Sequence, residues 1–422
     1  DAPAHDPYAA FRIPNFWRYM LGSLLVQLGM GAQGLAIGWE IYQRTGQALS
    51  LGLVGGVQAI PMLLLSLPAG YLADRFDRRR VIGICLLGVA LCSLGLAWLS
   101  AAKGPISLMY LLLFLDAAFM TLERPSGTAI FPALVPMESF ENAMKWRSSL
   151  NQLSGMGGPA LGALIISFSV PAAYVANAVF AMIFTGLLFL LRLRPSPAAA
   201  GRATLATVLS GVHFVWERKV LLASISLDMF AVLLGGATYL LPVYAAKLLL
   251  DSAPGWMQSE QILGWLRVAP AVGAFGMAIL LAHLPPMRKA GRAMLLAVAG
   301  FGLATIIFGL SRNFWLSWAM LCLTGALDNI SVVVRHTLVQ ILTPDEQRGR
   351  VSAVHSIFIG SSNEIGGFES GAVAQLFNPT VSVVSGGIGT LLVVALWSLA
   401  FPALRRFGAL RGEETKEAVI KI

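Results

Sequence analysis

The chain has 422 residues, of which 57% are hydrophobic and only 12% are charged, and its mean hydropathy is +0.73. Soluble globular proteins carry about 25% charged residues, so this composition excludes a soluble domain and indicates a polytopic membrane protein. The formal net charge of +9 is spread over short loops between apolar runs, which favours a role in membrane orientation over nucleic-acid binding.

The apolar runs predict twelve transmembrane helices, because a helix needs about 20 mostly apolar residues to cross a bilayer. We place them at 17–42, 48–73, 80–101, 106–131, 140–168, 171–192, 220–249, 260–284, 290–311, 314–341, 348–376 and 380–404. The longest interruption, 193–219, holds prolines and an amphipathic stretch at 205–219. We therefore expect an all-α protein with six-helix bundles at 1–192 and 220–422, the second ending in a short cytoplasmic tail, joined by a cytoplasmic linker at 193–219.

The sidedness of the basic residues supports this layout. Most of the 30 Lys and Arg residues fall in loops on the side of the two termini. The opposite loops contain Arg44, Lys103, Lys247 and Arg312. Because short loops rich in Lys and Arg stay on the cytoplasmic side, both termini are expected in the cytoplasm.

The two halves resemble each other at an offset of about 210 residues. The segment 157–163 matches 366–372, and Asp116 with Arg124 is mirrored by Asp328 with Arg335. Repeats in the same orientation predict a pseudo-symmetric pair of bundles with a binding cavity between them and alternating access by rocking.

The loop between the second and third predicted spans, residues 70–80, carries a specific motif. With twelve spans and a central linker, the chain resembles the major facilitator superfamily over its whole length, and this loop is similar to that family's signature between helices two and three. The matching residues are Gly70, Asp74, Arg75, Arg78 and Arg79. Asp77 stands where the signature usually has glycine.

The resemblance implies a conformational latch. In the family, the aspartate of this loop meets the start of the eleventh helix and stabilises the outward-open state, so Asp74 is expected to meet the segment 343–346. There, Thr343 has the residue type of a helix cap, and Glu346 follows at capping-box spacing. The positive-inside rule alone would explain the arginines.

The fifth span contains a second motif, formed by Gly155, Gly158, Pro159 and Gly162. It resembles the glycine-proline motif of the superfamily's exporters, which are commonly proton antiporters. The alternative is close helix packing by small residues, with a kink at the proline. The segments 38–46 and 51–55 resemble the enterobactin-exporter branch of the superfamily.

Ionisable residues inside the spans are the candidate site residues, since a charged group at mid-bilayer costs about 3 kcal/mol or more. Seven are acidic: Glu40, Asp116, Glu123, Asp228, Asp328, Glu364 and Glu369. Three are basic: Arg124, Arg267 and Arg335. Because the acids outnumber the arginines, some acids must be protonated, hydrated or matched by a cationic ligand, which favours proton coupling.

Helix geometry ranks these acids. At 1.5 Å per residue, Asp116 and Asp328 lie near mid-membrane on helices related by the repeat, and Glu364 is the deeper acid of its helix. We predict proton coupling chiefly for these three, and for Asp228, Glu40 and Glu123 as further cavity candidates. The alternatives are structural ion pairs for the aspartates, an edge cap for Asp228 and a solvated mouth residue for Glu40.

The basic residues and Glu369 are predicted to bind substrate or to form ion pairs. Arg267 would suit an anionic substrate or pair with a nearby acid, whereas Arg124 and Arg335 suit ion pairs that tie helices together. His336, beside Arg335, could titrate near neutral pH or have a hydrogen-bonded packing role.

The predicted function is a proton-coupled secondary transporter, most simply an exporter of an amphipathic small molecule such as a siderophore or drug. A lysophospholipid or lipid flippase, a divalent metal exporter and a non-transporting membrane sensor are the alternatives. No motif predicts an enzyme, a cofactor, a resident metal or a nucleic-acid partner. Small-molecule substrate, protons and the lipid bilayer are the expected partners of a monomer in a bacterial inner membrane.

Overall fold

A computed structural model describes residues 8–191, 205–284, 287 and 289–408, and within these ranges the regular structure is helical throughout. The main helices, numbered in chain order, are α1 (Pro14–Thr45), α2 (Ala48–Arg75), α3 (Arg78–Ala101), α4 (Ile106–Ile130), α5 (Met137–Ile166), α6 (Val170–Phe189), α7 (Leu205–Glu217), α8 (Lys219–Leu234), α9 (Ser259–His283), α10 (Ala290–Leu310), α11 (Phe314–Leu342), α12 (Asp345–Leu376), α13 (Pro379–Ala400) and α14 (Pro402–Arg406).

A helix is present at each of the twelve predicted spans, and α7 coincides with the predicted amphipathic stretch. In the part of the chain that is described, ten helical segments are long and apolar enough to cross a membrane, and one of them, Lys219–Leu248, consists of α8 and the shorter turns that follow it. The other two long helices, α5 and α12, fall short because they carry more polar residues. The all-α polytopic fold is therefore confirmed.

The seventh predicted span, 220–249, is not one continuous helix. Helix α8 ends at Leu234, and Gly235 and Gly236 leave helical geometry before a 3₁₀ turn at Ala237–Leu240 and a π-helical turn at Tyr244–Leu248. Paired glycines and Pro242 explain the break, because glycine does not favour the helix and proline removes a backbone donor. Such irregular backbone is tolerated at membrane depth where it lines a cavity.

The chain forms two compact units. Unit 1 comprises Asp1–Glu40 and Ile60–Ala203, and unit 2 comprises Ile41–Ala59 and Thr204–Ile422. The end of α1 and the start of α2 thus belong with unit 2. The limits of the two bundles and the linker predicted from the sequence remain predictions.

Unit 1 is built around α3, which packs against α4 and α6. Its apolar core includes the fully or nearly fully buried side chains of Phe16, Ile82, Val89, Ile130 and Phe131. These residues come from α1, α3, α4 and the turn that follows α4. The packing holds the polar residues of these helices in fixed positions.

Unit 2 is held together by contacts among α8 to α13. Helix α11 packs against α9 and α10, and α13 packs against α10 and α8, while α12 also contacts α8. Leu221, Met294, Val334, Leu338 and Leu404 belong to its buried core. The break after α8 therefore lies among closely packed helices of unit 2.

Candidate functional site

Unit 1 contains a group of four buried polar side chains, named here the Asp116 cluster: Gln33 of α1, Ser93 of α3, Asp116 of α4 and Asn177 of α6. Ser93 donates its hydroxyl proton to Gln33 Oε1 at 2.8 Å. Asn177 Nδ2 donates to the same oxygen at 3.1 Å and to Ser93 Oγ at 3.0 Å. The Gln33 side chain in turn hydrogen-bonds to Asp116. The cluster therefore links four helices through side chains.

Asp116 has no ion pair among the described residues, and its Oδ1 atom is buried there without a hydrogen-bond partner. A buried carboxylate is costly unless its charge is compensated. A carboxyl group without a fixed cation can be neutralised by a proton instead, which is the property that a proton-coupling residue requires.

The sequence did not identify Gln33, Ser93 and Asn177, because only ionisable residues were considered inside the spans. A signal was present, since each is a polar side chain in an apolar helix and such a side chain needs a partner within a membrane. What the sequence could not give was which polar residues of α1, α3 and α6 meet.

Glu40 is buried rather than solvated, with 6% of its surface exposed. Its Oε2 atom accepts a hydrogen bond of 2.8 Å from the hydroxyl of Tyr174, which is fully buried. Glu40 is therefore not the solvated residue at the mouth of the cavity that was one of the alternatives predicted from the sequence. Glu40 joins α1 to α6.

Glu123, partly buried on α4, has cationic neighbours that Asp116 lacks. Arg124 and Arg147 both interact electrostatically with it. The guanidinium of Arg147 also lies 4.7 Å from the centre of the Phe131 ring, whereas Arg124 is exposed. Glu123 therefore fits an electrostatic contact between α4 and α5 better than an isolated proton site.

Unit 2 contains a cavity of about 190 Å³ beside the break after α8. The broken segment forms one wall through Gly235, Gly236, Ala237, Thr238 and Tyr239. The other polar lining residues are Thr305, Thr324, Asp328 and Asn363, and the apolar ones include Val232, Pro270, Phe301, Phe308 and Leu321. The lining thus combines hydroxyl groups, one carboxyl group and aromatic rings.

Close helix packing brings Asp328 to this cavity. Gly325, one turn earlier on α11, lies so close to α9 that a Cβ atom added there would be 1.8 Å from the carbonyl oxygen of Pro270. Among the described residues Asp328 forms no ion pair. Of the acids predicted for proton coupling, Asp328 is the one that lines the cavity.

Glu364 and Arg267 meet next to the same cavity. The hydroxyl of Tyr239 donates to Glu364 Oε2 at 2.7 Å, and Arg267 interacts electrostatically with Glu364. Arg267 Nη1 also donates to the carbonyl oxygen of Thr238 at 3.0 Å, a main-chain group in the broken segment. Arg267 therefore pairs with a nearby acid and stabilises the helix break.

Asp228 and Arg335 form a buried ion pair between α8 and α11, with 3% and 2% of the residues exposed. This is the pairing expected for Arg335, although the sequence did not indicate its partner. The exposed His336 lies next along α11, and its ring packs edge-on against that of the buried His355 on α12, with centroids 5.1 Å apart. This ring contact packs α11 against α12, and the two predicted roles of His336, titration near neutral pH and hydrogen-bonded packing, remain predictions.

Glu369, on α12, is only partly buried, and its Oε2 atom accepts a hydrogen bond of 3.4 Å from the hydroxyl of Ser370. It is not among the residues that line the cavity. Its predicted role in substrate binding or ion pairing remains a prediction.

The glycine-proline motif of α5 packs against α1. A Cβ atom added to Gly158 would lie 3.0 Å from Gly31 Cα, and one added to Gly162 would lie 2.8 Å from Ala32 Cα. Gly155 has open space around the corresponding position. Gly158 and Gly162 therefore permit close approach of the two helices, and Pro159 lies inside α5 between them.

Two arginines at the start of α3, Arg78 and Arg79, bind helix ends within unit 1. Arg78 Nη1 donates to the carbonyl oxygen of Ala129, near the end of α4, at 2.7 Å, and Arg79 donates to that of Leu191, just after α6. Arg75 stacks on the ring of Tyr71, one turn earlier on α2. Asp77, in place of the usual glycine, caps α3 by accepting a hydrogen bond of 3.1 Å from the backbone of Arg80.

The predicted latch is not tested by these contacts. Gly70 and Asp74 lie in α2, but the side chains of Asp74 and Glu346 lie outside the described residues. Thr343 is not the helix cap that the sequence predicted: α12 begins at Asp345 with Pro344 at the cap position, and the Thr343 hydroxyl is buried without a described hydrogen-bond partner. Pro344 provides no side-chain cap, so in the part of the chain that is described α12 begins without the threonine cap that the sequence predicted.

The architecture is that of a polytopic membrane protein: ten described helical segments are long and apolar enough to cross a membrane, and a cavity lies beside a broken helix. The sequence profile of the Major Facilitator Superfamily matches residues 19–367. The chain belongs to this superfamily and is a transporter, not an enzyme.

Relatives and solved structures agree with this assignment. The chain is 29% identical over 408 residues to the enterobactin exporter EntS of Shigella boydii, covering 93% of each chain, and to that of Escherichia fergusonii to the same extent. Among solved structures, a mutant form of the nucleoside transporter NupG has a TM-score of 0.72 at 13% identity, covering 92% of this chain and 99% of NupG. A bacterial homologue of the human lysosomal transporter Spinster has a TM-score of 0.68 at 14% identity, with coverages of 95% and 99%. At these identities the solved structures show the fold alone.

Proposed function

We propose that this transporter exports a siderophore or a similar amphipathic small molecule, with protons moving in the opposite direction. The observation that carries the proposal is the position of Asp328, an acid without an ion pair among the described residues, on the wall of the cavity. The relatives named enterobactin exporters, which match 93% of the chain, support the cargo class.

The chemistry of the cavity fits such a cargo. Phe301 and Phe308 offer apolar faces, while Thr305, Thr324 and Asn363 offer hydrogen bonds to a polar ligand. The broken segment after α8 adds main-chain groups, as unwound helices do in other secondary transporters. A cavity of about 190 Å³ accommodates one part of a larger cargo rather than the whole.

In the proposed cycle, the carboxyl groups bind protons in exchange for the cargo. Protons from outside bind Asp328 and Asp116 as the cargo leaves, and the release of these protons inside restores cargo binding. Glu364, which lies next to Arg267 and Tyr239, stabilises the cavity wall and responds electrostatically when Asp328 gains or loses its proton. Alternating access then follows from the differential binding of cargo to the protonated and deprotonated protein.

Proteoliposomes containing the Asp328→Asn variant test this proposal. We expect enterobactin export driven by a pH gradient to fall by roughly tenfold or more, because asparagine cannot exchange a proton. Asp251→Asn is the matched control, since Asp251 is an exposed aspartate outside the cavity. Full gradient-driven export by Asp328→Asn would refute the role of Asp328. Faster transport of a lysophospholipid or a divalent metal than of enterobactin would refute the cargo class.

We also propose that the protein is a monomer in a bacterial inner membrane with both termini in the cytoplasm. The sidedness of the basic residues supports the orientation of the termini. A cysteine placed at the exposed Lys103 should react with an impermeant thiol reagent added outside the cell. Reaction only from the cytoplasmic side would reverse the orientation.

A further inference from the structure

The Asp116 cluster contains an amide whose direction is set by its neighbours. Gln33 Oε1 accepts two hydrogen bonds, one from Ser93 and one from Asn177, at 2.8 and 3.1 Å. Ser93 gives its one hydroxyl proton to this bond and accepts a further hydrogen bond from Asn177 at 3.0 Å. All three side chains are buried, with 4% or less of each exposed.

In this arrangement the NH₂ end of the Gln33 amide is the one that reaches Asp116. The carbonyl oxygen is occupied by two donors, so the NH₂ group is the end left for the carboxyl group. Reversing the Gln33 amide alone would turn its NH₂ group toward the donors of Ser93 and Asn177, which would then lose their acceptor. Gln33 therefore presents an N–H donor to Asp116.

An N–H donor distinguishes between the two protonation states of a carboxyl group, since it stabilises the charged form more than the neutral form. We infer that Gln33, held by Ser93 and Asn177, is a positioning residue that sets the pH range in which Asp116 takes up and releases its proton. The inference rests on the proposed proton coupling, and it assigns a role to three neutral residues.

The other titratable groups around Asp116 do not provide this function. Cys92 of α3 is the titratable residue that interacts with it electrostatically, and it carries no positive charge. On α1 and α6, Glu40 and Tyr174 bond to each other. On α4 itself, Glu123 is two turns away and interacts with Arg124 and Arg147. Gln33 is thus the partner through which the cluster acts on Asp116.

The experiment is an infrared titration of the purified full-length protein in lipid nanodiscs, following the carbonyl stretch of the protonated carboxyl group. Loss of the band in Asp116→Asn assigns it. In Gln33→Met, which keeps the length of the side chain but removes the donor, we expect the midpoint to rise by about one to two pH units. Gln27→Met is the matched control on the same helix, because Gln27 bonds to Asn151 and Ser154 instead.

Ser93→Ala provides a second, smaller change that keeps the donor but releases one constraint on its direction. Ser93→Ala should also raise the midpoint of the Asp116 titration, but by less than Gln33→Met does. If Gln33→Met does not fold, Ser93→Ala alone still tests the inference. An unchanged midpoint in a folded Gln33→Met or Ser93→Ala protein would overturn the inference. The proposed function fails separately: if gradient-driven export is complete in Asp116→Asn, Asp116 is not a coupling residue even where the titration shifts.

Discussion

At the residue scale, the acids inside the membrane differ in what compensates their charge. Asp228 pairs with Arg335, and Glu364 has Tyr239 and Arg267 beside it. Asp116 and Asp328 have no ion pair in the part of the chain that the structure describes. This difference supports our proposal that Asp116 and Asp328 exchange protons, whereas Asp228 holds two helices together.

The Asp228–Arg335 pair should behave as a structural ion pair. Removing one partner leaves a buried charge uncompensated, so Asp228→Asn is expected to lower the free energy of unfolding by about 3–5 kcal/mol. The double variant Asp228→Leu/Arg335→Met, which removes both charges, should recover most of that loss. Thermal unfolding of the detergent-solubilised variants measures both effects.

The double variant also separates structure from coupling. If it is as unstable as Asp228→Asn, the pair is not the main cause of the loss. If it is stable but has lost gradient-driven export, Asp228 takes part in proton coupling rather than only in structure. Asp251→Asn, at an exposed position, should leave stability unchanged.

At the scale of helices, small residues decide how closely neighbours approach. Gly158 and Gly162 place α5 against α1, and Gly325 places α11 against α9. The latter approach carries Asp328 to the cavity wall, so the site depends on the helix contact as well as on the acid.

Gly158→Ala and Gly155→Ala form a matched pair on α5. The methyl group at 158 would lie 3.0 Å from Gly31 Cα and 3.2 Å from the carbonyl oxygen of Leu28, which forces the helices apart. We expect a loss of about 1–3 kcal/mol in stability, typical of overpacking. Gly155→Ala, with open space around it, should be neutral or slightly stabilising because alanine favours the helix. Melting temperatures of both variants provide the measurement, and equal effects would contradict the packing role.

The helices were predictable from sequence and their breaks were less so. Apolar runs locate the spans because about twenty such residues match the bilayer thickness. The interruption at Gly235 and Gly236 was missed, since each residue around it is apolar or small and hydropathy does not register backbone geometry. The same limit applies to the Asp116 cluster: Gln33 and Asn177 lie 144 positions apart, and only the fold shows that they meet.

At the scale of the whole molecule, each of the two compact units contains an acid without an ion pair among the described residues, and the two acids lie on equivalent helices, Asp116 on α4 and Asp328 on α11. The repeat in the sequence predicted this equivalence, but it did not predict that their surroundings differ. Asp116 lies in a buried network of neutral polar groups, whereas Asp328 lines a cavity. We therefore propose that Asp328 contacts the cargo and that Asp116 carries out a more remote proton-binding step.

The most direct test of proton-coupled export is the proton movement that the cargo itself causes. Proteoliposomes containing the wild-type protein and a trapped pH-sensitive dye, without an imposed gradient, are exposed to enterobactin on one side. Exchange predicts that cargo entry moves protons out, so the interior becomes more alkaline, and that Asp328→Asn abolishes the signal. Cargo entry without any change in interior pH in the wild-type protein would contradict the account.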